Sequence, residues 1–277
     1  MKCLIFLLLV STPVLASKNK TWVPSYKKKM KTQAQVKQVP QQAKLKKIGK
    51  KKIQPTSELE RLFLVKPKTN AHFGVLKKKS LEQKQAAVPT LIKVMKSKSY
   101  PSENRWVATY MLGRIMGKKS APFISKFSKH PNWMLRLASL KVLLHLGQKQ
   151  YKGIYAQLLE DKSLIVRHQA LQNIREMKLV SLAPYVWKML YNKENYLGLK
   201  GSRKRSNIIK DAIKVVGELG FKGAKKPMLK MFQKNKYKDV YAELDYSLSK
   251  LDRPSPAGSL EIKKHFWMRQ SLKEVTI

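Results

Sequence analysis

Between about Ser80 and Leu251 the chain repeats itself at intervals of about thirty residues, the signature of stacked supersecondary units, each unable to bury its apolar face alone. Within each interval the apolar residues recur at three and four, the period of a helix. One helical series begins at Arg105-Trp106-Val107-Ala108-Thr109-Tyr110 and returns as Leu135-Arg136-Leu137-Ala138-Ser139-Leu140. It returns again as Val166-Arg167-His168-Gln169-Ala170-Leu171, and then as Ile208-Ile209-Lys210-Asp211-Ala212-Ile213. In each copy a small residue (Thr109, Ser139, Ala170 or Ala212) precedes a larger apolar one, which lets neighbouring helices approach closely. Three copies end at a glycine, Gly117, Gly147 or Gly220, as a left-handed C-cap requires. A second helical series lies between these, opened at Pro89, Pro122, Pro184 and Pro227, where the first helical turn tolerates a missing N–H.

Helix, turn and helix therefore make one unit, and the pattern resembles the HEAT-repeat family, in its shorter, phycobilisome-lyase-like form. Leu159-Glu160-Asp161-Lys162-Ser163-Leu164-Ile165-Val166-Arg167 carries the likeness best, with a turn aspartate followed by Val-Arg. Pro101 and Pro131 precede the corresponding helices elsewhere, while Tyr100 and His130 replace the aspartate and Trp106 and Ile209 the arginine. The resemblance implies an all-α, right-handed-type α-solenoid of stacked antiparallel helix pairs, whose second helices line a concave face. It also implies an arginine ladder through Arg136 and Arg167, either bonding the repeats together or meeting a ligand. Asp161 is the one turn aspartate, which leaves Arg136 short of a partner. Such repeats are scaffolds for many partners, so the fold does not fix the function.

The period breaks between Tyr191 and Asn207, where the inserted residues hold Lys200, Arg203, Lys204 and Arg205. Insertions in repeats map to loops, often on the binding face. This one reads either as a solvated loop or as an anion contact, and it lacks the Gly-Lys-Ser/Thr ending of a nucleotide P-loop. After Asp252-Arg253-Pro254 a tail follows that either caps the last repeat or meets a membrane interface through Phe266 and Trp267.

The first residues read as a leader: Lys2, an apolar run from Cys3 to Val10, and Val14-Leu15-Ala16, with cleavage expected after Ala16. The chain is then expected to be periplasmic or secreted. Cys3 is the single cysteine, so a cleaved chain has no thiol, disulfide or cysteine-based zinc site. Residues 17–56 contain no Asp or Glu and are rich in Lys, Gln and Pro, a composition that leaves a segment disordered. Lys27, Lys28, Lys29, Lys50, Lys51 and Lys52 make it either a solvated linker or an electrostatic arm. The expected organisation is thus 1–16 leader, 17–56 disordered basic segment, 57–251 repeat domain and 252–277 tail or cap.

Lys plus Arg total 59 against 16 Asp plus Glu, a net charge of +43 that attracts polyanions and acidic surfaces. The five histidines show no metal-binding spacing, and no GxSxG or glycine-rich nucleotide fingerprint occurs. His145 and His168 read as packing or surface residues. The expectation is a non-enzymatic exported scaffold, without cofactor or metal. It would engage nucleic acid, anionic lipid, lipopolysaccharide or an acidic polymer through Arg136, Arg167, Lys200, Arg203, Lys204, Arg205 and the lysine clusters. A protein–protein adaptor using the concave face is the alternative. A minor one is an alkylpurine-glycosylase-like enzyme, using concave aromatics (Trp106, Trp133, Tyr185, Trp187) and Asp211.

Overall fold

A computed structural model describes residues 54–196 and 206–273, and among these every regular element is helical. In chain order the helices are α1 (Glu58–Leu64), α2 (Asn70–Gln83), α3 (Val88–Lys96), α4 (Ser102–Met116), α5 (Ala121–Ser125), α6 (Trp133–His145), α7 (Lys152–Leu158), α8 (Leu164–Glu176), α9 (Ala183–Lys188), α10 (Asn207–Glu218), α11 (Lys225–Phe232), α12 (Tyr241–Leu251) and α13 (Leu260–Lys273). The leader, the basic segment through Lys52, and Lys200 to Arg205 lie outside the described residues.

Helices α4, α6, α8, α10 and α12 stack in order, each packing on the next. A shorter first helix accompanies each: α3 packs on α4, α5 on α6, α7 on α8, α9 on α10 and α11 on α12. The result is an α-solenoid of helix pairs, as the thirty-residue period implies. The core is correspondingly one-dimensional and hands over at α6. Leu135 and Val142 belong to the N-terminal cluster, Leu140 and Leu143 to the C-terminal one, and Leu146 packs against both. Helix α10 shows why these residues form these helices. Ile208, Ile209, Ala212, Ile213, Val215 and Val216 are buried, while Lys210, Asp211, Lys214 and Glu218 occupy the remaining face.

Close approach sets the stacking distance. A Cβ on Gly217 of α10 would meet the Ser247 backbone of α12, and one on Gly113 of α4 would meet the Val142 side chain of α6. Ser247, small enough for the α10–α12 seam, donates to the carbonyl of Ile213 at 2.7 Å, and Ser139 of α6 donates to that of Ile124 in its paired helix α5 at 3.0 Å.

Helices α6, α8 and α10 close alike. After α6, Gly147 N donates to Leu144 O and Gln148 N to Leu143 O; after α10, Gly220 N donates to Gly217 O and Phe221 N to Val216 O. Gly147 and Gly220 have φ of 61° and 68°, and Gly117, after α4, has φ 56° with ψ −144° and donates to Gly113 O; all three are positive-φ positions that glycine adopts without penalty. Helix α8 makes the same two bonds with Lys178 in that place, at φ 51°. Proline opens α3, α5 and α9 as expected, whereas Pro227 is the third residue of α11 rather than its opener.

Two elements extend the stack beyond the periodic region. At the front, Ser57 caps α1 by accepting from Glu60 N at 3.1 Å, and α1 and α2 pack against α3 and α4. Glu60 is fully buried and ties this end together: Tyr100 Oη donates to it at 2.5 Å and Lys93 Nζ lies 2.6 Å away. Burial pushes its carboxyl up, but the bonds from Lys93, Tyr100 and Thr56 outweigh that and hold it down to about 2. At the other end α13 packs on α11 and α12. Its Trp267 is wholly buried and donates Nε1–H to Asp245 at 2.8 Å, so this ring is committed to the stack rather than to a membrane interface.

Candidate binding surface

The arginine ladder is present and acts between repeats. Arg136 makes a fork-to-fork pair with Asp161 of the next unit, Nε and Nη2 each 2.7 Å from a carboxylate oxygen, while Nη1 donates to the carbonyls of His130 and Pro131. The expectation that Arg136 is short of a partner is therefore corrected. Arg167 takes no carboxylate: it donates to Asn195 Oδ1 at 2.7 Å, to Asp161 O at 2.7 Å and to Glu194 O at 3.1 Å. The first rung is Arg105, not the Trp106 position. It donates from Nε and Nη2 to Met95 O at 3.0 and 2.8 Å, with Nη2 3.2 Å from His130 Nε2. Arg105, Arg136 and Arg167 are evenly spaced, and each reaches the turn of the following unit, at His130, Asp161 and Asn195. Burial lowers the Arg105 and Arg167 guanidiniums from their ordinary value, although both stay charged. Burial, then Arg105, likewise lowers His130, so its ring is neutral at neutral pH. Arg136 and Arg167 are thus placed where they join repeats.

The second helices carry a row of cross-repeat pairs. His168 of α8 lies 3.0 Å from Asp211 of α10, and two turns on Arg175 makes a forked pair with Glu218 at 2.7 and 2.6 Å. Tyr246 of α12 donates to the same Glu218 at 3.0 Å. The glycosylase-type grouping is not assembled. Trp106 stacks on Tyr110 of its own helix α4, with α6 and α8 between it and α10, and Asp211 is already held by His168. Trp133 stands at the start of α6, and Tyr185 and Trp187 belong to the first-helix layer.

That first-helix layer holds two clefts the sequence reading did not name. One, of about 370 Å³, lies between α7 and α9 and is lined by Ala156, Leu159, Tyr185, Met189 and Tyr191, with Glu160 and Lys188 paired at 2.6 Å on its edge. The other, of about 330 Å³, lies between α9 and α11 above α10. Its walls are Trp187, Leu190, Tyr191, Tyr196, Met231 and Tyr237, its floor Ile209 and Ile213, and its rim Lys230 and Lys234. Tyr191, 70% exposed, is a wall of both. The signal was legible: Trp187, Leu190 and Tyr191, and Pro227, Lys230, Met231 and Lys234, follow the three-and-four spacing of a second face. The inward face of the same segments is a separate set, Ala183, Val186 and Met189 on one and Met228, Leu229 and Phe232 on the other.

Of the other residues expected to bind a partner, Lys27, Lys28, Lys29, Lys50, Lys51, Lys52, Lys200, Arg203, Lys204 and Arg205 lie outside the described residues. Among the described residues no three His, Cys, Asp or Glu side chains gather as for a metal ion, and no helix is long and apolar enough to cross a membrane.

No family model matches the chain, and no curated protein matches it. Among solved structures, the complex of CpcE and CpcF of phycocyanin lyase from Nostoc sp. PCC7120 is similar, at 13% identity and a TM-score of 0.41, covering 84% of this chain and 100% of that one. That neighbour is a phycocyanin lyase, and the expectation of a non-enzymatic chain is corrected by it.

Proposed function

We propose that the chain is a helical-repeat adaptor that holds a protein partner with an acidic surface. The observation that carries this reading is where the acids go. Only 16 Asp and Glu face 59 Lys and Arg, and the acids that bond are engaged within the molecule. Glu60 holds Lys93, Asp161 holds Arg136, Asp211 faces His168, Glu218 holds Arg175, and Asp245 holds Lys263 and Trp267. The surface is left with cations in excess, interleaved with exposed aromatic side chains such as Tyr185 and Tyr191. Aromatic anchors ringed by polar groups are the composition of protein interfaces.

A second reading, a polyanion-binding scaffold, is favoured by one specific feature, the acid-free lysine run before Glu58. The two separate by salt. Contacts to a polyanion weaken steeply as salt rises, whereas an interface with buried apolar anchors persists. The test is retention of the full chain, and of a chain beginning at Ser57, on heparin, DNA and anionic-lipid supports. Beside it, protein is recovered from the source organism at a salt concentration that strips all three supports, and the recovered protein is purified and rebound. The adaptor reading expects reproducible rebinding by the shorter chain. Retention on polyanions alone, lost with the segment before Ser57, would replace it with the scaffold reading.

We also propose that the chain works outside the cytoplasm, on the leader pattern ending at Ala16. N-terminal sequencing of the protein from its source should then begin at Ser17, and an intact Met1 would contradict it.

A further inference from the structure

We infer that the cleft between α9 and α11 is a docking site for an acidic peptide segment of a partner protein, with one large apolar side chain seated in the cleft and carboxylates on its rim. This rests on the adaptor reading and supplies its contact point, which lies between first helices rather than on the second-helix row.

The shape argues for an anchor. A volume of about 330 Å³ is at the low end for pockets that enclose small ligands, about 300–1,000 Å³, and suits a side chain better than an extended strand. The chemistry argues for an apolar one. Ile209 and Ile213 form the floor, and Trp187, Leu190, Tyr191 and Met231 the walls, surfaces that gain by excluding water. The Tyr196 hydroxyl donates to Leu190 O at 2.6 Å within its own segment. Tyrosine and tryptophan walls of this kind are rigid contact surfaces with little rotamer entropy to lose.

The charge selects the flanks. Among the described residues no acid lines the cleft, and Lys230 and Lys234 stand exposed at its edge. A second copy of a chain carrying +43 is repelled by that rim. Single-stranded nucleic acid, the other ligand for aromatics beside lysine, stacks bases on open aromatic faces along a basic groove. A closed aliphatic floor suits it poorly.

The test uses the full chain and a fluorescein-labelled peptide with a Leu-Phe centre between runs of Asp and Glu. The same peptide with a Ser-Gly centre and a labelled single-stranded oligonucleotide are the controls. The expected result is binding of the first peptide, weakened about tenfold or more by Ser-Gly, the scale of one lost apolar anchor. Met231→Glu, which puts a charge on the partly exposed wall, should weaken it similarly, and Lys230→Glu with Lys234→Glu should make it weaker and less salt-sensitive. Unchanged helical circular dichroism and melting of the variants show that the fold is intact. Equal affinity for both peptides, indifference to Met231→Glu, or an oligonucleotide that displaces the peptide regardless of its centre would each overturn the site. If the protein recovered at high salt binds Met231→Glu as well as the parent chain, the cleft is wrong and the adaptor reading stands. If the peptide seats in the cleft but no protein is ever recovered, the adaptor reading falls and the cleft remains.

Discussion

Lys178 occupies a backbone position that glycine holds in two neighbouring units. Its φ of 51° crowds its Cβ against the backbone, yet the two bonds that close α8 are the same as those after α6 and α10. Lys178→Gly should therefore raise stability by about 1 kcal/mol, read as a higher denaturation midpoint with an unchanged slope. Glu60 gives a pH-dependent counterpart. Its folded value, about 2, lies below its ordinary 4.5, so its stabilisation is complete above about 4.5 and is lost as pH falls towards 2. The difference corresponds to roughly 3 kcal/mol at neutral pH. Glu60→Gln should consequently destabilise the protein at pH 7, and the gap from the parent should close as pH drops below about 4.5. A gap that stays constant with pH would show that the carboxylate's charge is not what holds α1 to α3.

At the scale of elements, the seams between second helices decide the stack. Gly217→Ala places a methyl group against the Ser247 backbone, which has no rotamer to move, and should cost roughly 2 kcal/mol. The ladder is the other join. Asp161→Ala leaves the Arg136 guanidinium facing a half-closed site and should cost roughly 3 kcal/mol, whereas Arg136→Met combined with Asp161→Leu should recover much of that loss. Thermal melts of the three variants give the comparison. The pairing of helices was legible because period, proline and glycine are local signals. The rungs were only half legible. Asp161 could be read as a turn aspartate, but which arginine it meets depends on the offset between units, so its bond to Arg136 came from packing. The register also hid Arg105, one residue before the place where the pattern sets Trp106. Helix α2 was not separately legible, because Gly74 and the run Lys77, Lys78 and Lys79 blur its apolar stripe. The cleft was not legible as a cleft because which face of α9 meets α11 is set by the packing of the units, not by the spacing of Trp187, Leu190 and Tyr191 alone.

For the whole molecule, the excess positive charge and the helical stack are separate facts that meet at the cleft rim. A chain with this charge binds any polyanion to some degree at low salt, so attraction alone does not identify its partner. The central claim is that recognition adds apolar anchoring on the repeat body to that attraction. The measurement that tests it most directly is the salt dependence of affinity between the chain beginning at Ser57 and the protein recovered at high salt. The account predicts a shallow decline of log affinity with log salt and measurable binding after the electrostatic part is screened. A steep linear decline to no binding, of the kind a polyelectrolyte contact gives, would contradict it.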